Sequence, residues 1–438
     1  MPRMSESPDY RSHLRQIFLY TLAECSIEKA FQRQIDFDRG VLRIMDDLYG
    51  LPGYDRVFVV SIGKAAHAMV KALAGKVGRG LGGIVVGAGA PAEMVPGFSY
   101  FEGGHPVPNA DSVRGATAIL RGLNSLTEQS LVIFMISGGG SSIVEKPITN
   151  EISLADLIET YRALVLSGAP IADINAIRKH LSAVKGGRLA LAAKGARQVS
   201  ILISDVPENA LDSLASGPTM PDSSTVENCY SLACKYGLVE QFPAPVRQLF
   251  QQKMLEETPK AGDAAFARSS WWVLLGNSTA LRAAAERASM ERFAVEVDNG
   301  CDDWDYKAAA GYLLEKLRQL RRGVSRVCLL SGGEVTVKVT NGGAGGRNQQ
   351  FALYCATKIV GENIAVLSAG TDGLDGNSRA AGAVVDGTTV SRACALGFNA
   401  ETALARFDAF PLFEALGDAI VTGPSGTNVR DVRMLLAY

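Results

Sequence analysis

The sequence predicts an α/β fold of two domains, in which a mainly parallel sheet is covered by helices. Three observations carry this. The chain has 438 residues, more than one ordinary core accommodates, so two domains are expected. Hydrophobic residues make up 47% and charged residues 20%, the balance of a folded protein with a large interior. Short apolar runs ending in small or acidic residues recur, each followed by a loop or a helical pattern, and a parallel sheet with crossover helices produces that alternation.

In the first half, strands are read at 57–62, 83–86, 131–136 and 200–203. In the second half they are read at 272–275, 327–330, 335–339 and 364–367. Apolar positions at three-to-four spacing predict helices at 278–289 and 305–320. The segment 241–268 combines Pro243, Pro245, Pro259 and Gly262 with charge and weak periodicity, the composition of a joint. The domains are therefore set at 1–240 and 271–438, with 241–270 as linker, and the pattern leaves open an exchange of a segment between them.

Forty-four basic residues against 45 acidic ones give no field for a nucleic-acid or membrane partner. The polar start lacks a signal core, and no apolar run approaches the ~18 residues of a membrane span, so the expected location is cytoplasmic. Seven cysteines without a C-x-x-C pair read as reduced core residues, and four histidines without ligand spacing make any metal oxygen-bound.

Ligands of open α/β sheets bind outside the carboxyl ends of the strands, so the loops there carry the candidate chemistry. The run 131–136 leads into Ser137-Gly138-Gly139-Gly140-Ser141-Ser142, whose amides form either an anion cradle or a tight strand-to-helix turn. A second cluster, from Gly342 through Gly345, Gly346, Arg347 and Asn348, sets an arginine near a helix start, where it clamps a phosphoryl group or stands solvated in a hairpin loop. Lys64 follows the first strong strand as a point charge for phosphate, without the glycines and Ser/Thr of a P-loop. Asp205, Glu334 and Asp372 end strands, where they hold Mg²⁺ with nucleotide oxygens or cap turns. His105 and Asn109, and Arg178 in a basic run, suit a carboxylate or phosphate; a Pro-rich turn and a solvated helix face are the plainer readings.

Eleven segments in order resemble the glycerate 2-kinase family, whose carboxyl-terminal part is the MOFRL domain. They include Ser61-Ile-Gly-Lys64, Gly104-His-Pro-Val-Pro108, Ser137-Gly-Gly-Gly-Ser141, Lys185-Gly-Gly187, Ile203-Ser-Asp205, Ala215-Ser-Gly-Pro-Thr219, Ser331-Gly-Gly-Glu334, Gly345-Gly-Arg347-Asn-Gln349 and Gly370-Thr-Asp-Gly373. The resemblance spans nearly the whole chain. It implies a Rossmann-like first domain, a mixed-sheet second domain and an active site in the cleft between them, with ATP- and Mg²⁺-dependent phosphorylation of D-glycerate to 2-phosphoglycerate. Lys64 and Arg347 match the two principal catalytic positions, and Asp205 or Asp372 would orient or deprotonate the acceptor hydroxyl. Arg379 and Arg430 depart from the family pattern, where extra cations would favour a more acidic substrate. The small hydroxy acid is the expected partner, and the reading allows for a homodimer.

An NAD(P)-dependent hydroxypyruvate reductase is the main rival, yet no G-x-G-x-x-G occurs, and Gly87-Ala-Gly89-Ala-Pro-Ala92 runs into prolines instead of a helix. A non-catalytic sugar-acid sensor would use the same anion loops without acidic metal ligands.

Overall fold

Strands buried on both faces carry unbroken apolar runs, because helices cover the sheet above and below. The computed structural model describes residues 9–78, 80–340 and 342–438. Three short strands come first, β1 (Ile35–Asp38), β2 (Val41–Ile44) and β3 (Asp47–Gly50), in a small antiparallel sheet. A six-stranded sheet follows, made of β4 (Val57–Ile62), β5 (Gly82–Gly87), β6 (Phe98–Glu102), β7 (Leu131–Ile136), β8 (Arg197–Ile203) and β9 (Ser269–Leu275). Its order is β6-β5-β4-β7-β8-β9, and β4 through β8 pair in parallel. Val60, Ile62, Val86, Val132, Phe134 and Leu202 form its core with Ala116 and Ile119 of the Ala110–Asn124 helix. Each such side chain, fully buried, contributes about 1.5–3 kcal/mol of hydrophobic stabilisation.

This order reverses direction between β4 and β7, the switch point at which doubly wound sheets open a crevice. The two strands are in register, Ile62 opposite Ile136, so the loops that leave them begin side by side. Gly83 is required here by proximity, since a Cβ on it would lie 1.8 Å from the Val59 carbonyl oxygen.

The second sheet contains β10 (Ala294–Val297), β11 (Val327–Gly333), β12 (Ile364–Gly370), β13 (Gly382–Asp386), β14 (Ala419–Ile420) and β15 (Asp431–Ala437), ordered β10-β11-β15-β12-β13-β14. Only β10 and β11 are parallel; the other pairs are antiparallel, which makes the sheet mixed. Leu313 and Leu317 of the Tyr306–Arg321 helix and Phe351 of the Arg347–Lys358 helix pack on Leu329, Val366 and Leu435.

The chain divides differently from the domain limits read in the sequence. One unit is Ile27–Leu274; the other joins residues up to Ser26 with Leu275–Tyr438. The Tyr10–Glu24 helix packs on β12, β13 and the Asn277–Met290 helix, so an amino-terminal segment completes the second unit. The expected linker lies inside the first unit, where Phe242, Val246, Phe250 and Leu255 are buried with Leu157, Leu164 and Ile177. Proline there starts the Ala244–Gln251 helix instead of opening a joint. The strand read at 272–275 is β9, an edge of the first sheet. The strand read at 335–339 is not formed: beyond Gly333, at φ +86°, Val335 is buried in a loop and Thr336 makes one isolated bridge to Asp305.

Among the described residues no helix is long and apolar enough to cross a membrane. The cysteines are unpaired; five are buried as expected, while Cys234 and Cys394 are exposed.

Candidate active site

In the first unit, four backbone N–H groups stand open at the switch point. Ser137 does not take part: it is buried, its N–H donates to the Ile62 carbonyl, and its hydroxyl accepts from the Ala65 N–H at 3.0 Å. The N–H groups of Gly138, Gly139, Gly140 and Ser141 donate to no acceptor among the described residues of this unit. The two loops are tied directly, with the Lys64 N–H on the Gly138 carbonyl oxygen at 2.9 Å. Gly63 is at φ +112°, and a Cβ there would lie 2.4 Å from Ser137 oxygens. That glycine lets the chain turn Lys64 outward over the open amides.

Three side chains surround this loop. A Cβ on Gly139 would meet His105 Cδ2 at 3.0 Å and Lys64 Cγ and Cε at 3.1 and 3.2 Å, and one on Gly138 would lie 2.1 Å from Asp205 Oδ2. Lys64, His105 and Asp205, read separately in the sequence as candidate ligand-edge residues, thus lie beside Gly138 and Gly139. Partial desolvation, and then the nearby Lys64 ammonium, hold His105 below the ordinary imidazole pKa. A neutral ring there donates or accepts a hydrogen bond without adding charge.

Two expected ligands have partners within the fold. Asn109 caps the Ala110–Asn124 helix, accepting from the Ser112 N–H at 2.9 Å while its Nδ2 donates to the Glu102 carbonyl at 3.0 Å. Arg178 lies over the Tyr161 ring, 4.7 Å from its centroid, with a buried Nε that has no partner. It is therefore not a solvated helix face.

Sequence reasoning missed the pair behind that loop. Glu145, two residues past the Gly140–Ile143 helix, is fully buried and accepts from Tyr161 and Ser182 hydroxyls at 2.6 Å each and from Lys185 Nζ. Burial pulls the Lys185 ammonium down to about 7. Lys185, Ile62 and Gly140 line one small cavity, which sets the pair close to the start of that short helix.

The second unit carries Arg347 as the first residue of the Arg347–Lys358 helix. Its Nε and Nη2 donate to Asp431 at 2.6 and 3.1 Å, and Nη2 lies 2.8 Å from Glu334. The cation thus has structural partners that the sequence did not disclose, and they raise its pKa further against the opposing effect of burial. Asp375, also buried, takes the helix amides themselves: the Asn348 and Gln349 N–H groups donate to it at 3.0 and 2.9 Å. Burial pushes Asp375 up to about 6 against these bonds. Asn348 is buried too and accepts from Ser368 Oγ at 2.6 Å, so it belongs to the scaffold, not to a ligand surface. Gly346 serves close approach, its Cβ position 2.3 Å from Asp375 Oδ1. Gly345 and Gly346, with Arg347, Asp372 and Asn377, line a cavity of about 800 Å³.

A larger cavity of about 1280 Å³, bounded by Arg56, Gly82 and Ser125, opens at the amino ends of β4 and β5. That is the wrong edge for ligands of such a sheet.

Of the expected metal ligands, Glu334 pairs with Arg347 and Asp372 Oδ1 accepts from the Leu374 N–H at 3.1 Å. No group of three His, Cys, Asp or Glu gathers among the described residues. Mg²⁺ ordinarily takes one or two carboxylates and completes its shell with phosphate oxygens and water, so an ion brought with a nucleotide does not require such a group. The two unusual arginines are neutralised: Arg430 donates to both oxygens of Asp302 at 2.7 and 2.8 Å, and Arg379 donates to Glu414 at 2.6 Å. The expected excess of positive charge is therefore absent at both.

Family models match residues 13–251, described as a domain of unknown function (DUF4147), and residues 327–431, described as the MOFRL family. D-glycerate 2-kinase of Thermotoga maritima is 35% identical over 415 residues, 93% of this chain and 94% of that protein. A protein of Agrobacterium vitis named "Putative hydroxypyruvate reductase" is 36% identical over 397 residues, 87% of each. The crystal structure of glycerate kinase from Thermotoga maritima matches with a TM-score of 0.85 at 32% identity, over 98% of this chain and 99% of that one. With a MOFRL domain at its carboxyl end and this likeness along almost its full length, the chain belongs to the glycerate 2-kinase family.

Proposed function

We propose that the protein transfers the terminal phosphoryl group of ATP to the 2-hydroxyl of D-glycerate, as a cytoplasmic enzyme acting on a small hydroxy acid. The observation that carries this reading is the loop of four open amides at the switch point, with Lys64, His105 and Asp205 around it. Amides and a lysine so placed bind an anion without needing to reorganise. Phosphoryl transfer asks little covalent work of a protein, so positioned charge supplies most of the catalysis. Lys64 and Arg347 offset charge on the phosphoryl oxygens, and Asp205 takes the proton of the acceptor hydroxyl as its oxygen bonds to phosphorus and ADP leaves. Mg²⁺, held by a carboxylate such as Asp205, Glu334 or Asp372 together with phosphate oxygens, would neutralise charge on the nucleotide.

The purified protein is expected to consume ATP only when glycerate and Mg²⁺ are both present, read by coupling ADP release to NADH oxidation with the auxiliary enzymes in excess. NAD(P)H oxidation with hydroxypyruvate and no ATP turnover would establish the reductase instead.

The cradle has its own test. A Cβ at Gly138 would press on Asp205 Oδ2, the movable end of a side chain, so Gly138→Ala should displace the carboxylate and leave the fold intact. Misplacement on this scale lowers kcat by about tenfold to a hundredfold. Unchanged kinetics beside an unchanged melting curve would separate Asp205 from the reaction.

A further inference from the structure

Asp431 opens β15, and the register sets it between Gly333 of β11 and Gly370 of β12. Neither neighbour has a side chain, so the carboxylate is enclosed by strand ends and only 1% exposed. A lone carboxylate in such a place would be costly to bury. It is not alone, since Arg347 grips it side-on through Nε and Nη2. The partners are unequal: the Asp431 side chain is 2% exposed and that of Arg347 is 38% exposed. A pair serving only the core would bury both ends, and apolar residues would serve as well. Here the acid is enclosed and the base reaches outward.

We infer that Asp431 is a positioning residue for the transfer reaction, fixing the plane of the Arg347 guanidinium so that its Nη1 edge is presented to an anionic phosphoryl oxygen. This rests on the reading above that Arg347 acts in the transfer. A two-point grip sets orientation as well as distance, which a single contact cannot do. Glu334 lies on Nη2 with 31% of its side chain exposed, so it is the less enclosed of the two carboxylates. Asp431 holds the arginine before and during the reaction.

The test is steady-state kinetics beside thermal unfolding for Arg347→Ala, Asp431→Asn, Asp431→Glu and the double variant Arg347→Ala/Asp431→Asn, varying MgATP and glycerate. Arg347→Ala is expected to lower kcat by about a hundredfold, the effect of losing one preorganised donor. Asp431→Asn keeps an acceptor but loses the charge and the second contact, and should lower kcat by about tenfold with little change in either KM. In the Arg347→Ala background the same change should add less than about twofold, because the two act as one unit. Asp431→Glu restores the charge and should recover part of kcat; it stands in for Asp431→Asn should that variant not fold. Near-normal kcat in Asp431→Asn with Arg347→Ala impaired would overturn the inference and leave the role of Arg347 standing, as would losses that simply multiply. Near-normal kcat in Arg347→Ala would overturn both.

Discussion

Lys64→Ala and Arg347→Ala should each lower kcat by about a hundredfold or more, while their effects on stability differ. Lys64 is exposed, turned outward by Gly63, so its loss should shift stability by no more than ~0.5 kcal/mol. Arg347→Ala strips the cation from buried Asp431. Removing one partner of a fully buried pair costs about 3–5 kcal/mol, and the half-open arginine places this loss at or below the lower end. Arg347→Lys should recover little activity, since a point charge cannot reproduce the side-on contact. Kinetics paired with urea unfolding separates the two effects. A normal kcat in Lys64→Ala, or an Arg347→Ala defect that merely follows the folded fraction, would remove that residue from catalysis.

Glu145→Gln should produce the largest loss of stability, about 3–5 kcal/mol near neutral pH, because it leaves the Lys185 ammonium buried without its carboxylate. The pH dependence has a definite sign. Burial lowers Lys185 from 10.5 to about 7 in the folded protein, and without the Glu145 charge beside it the ammonium falls further, so below 10.5 the unfolded chain binds the extra proton and the variant's stability rises with pH more steeply than the wild type's. The variant should therefore regain part of its loss as pH is raised from about 7 toward 10. Urea midpoints across that range provide the check; a pH-independent loss would show that the buried ammonium is not its source.

The strands of the first sheet were legible because burial on both faces writes them as unbroken Val and Ile runs, and 57–62 and 131–136 match the observed limits. Their loops were legible for a related reason: glycines at a strand end mark a place where backbone must approach something. Partners distant in sequence were not legible. Nothing near Arg347 announces Asp431, 84 residues away, and nothing near Glu145 announces Lys185, 40 residues away. The same limit hid the reach of the Tyr10–Glu24 helix to the second unit, since an amphipathic helix does not state which sheet it covers. Asn109 was misread because a helix cap and a ligand call for the same side chain, and only the Ser112 N–H on its Oδ1 separates them. The β10 strand escaped notice because it is a short edge whose residues are mostly exposed, so it lacks an apolar run.

The most direct test of the whole account follows the phosphorus. The protein is incubated with MgATP, D-glycerate, NADPH and hydroxypyruvate together, and the mixture is read by ³¹P NMR and by absorbance at the nicotinamide band. The account predicts ADP and the phosphomonoester of 2-phosphoglycerate in equal amounts, with the nicotinamide absorbance unchanged. Oxidation of NADPH with no new phosphomonoester, or a phosphorus resonance belonging to 3-phosphoglycerate alone, would contradict it.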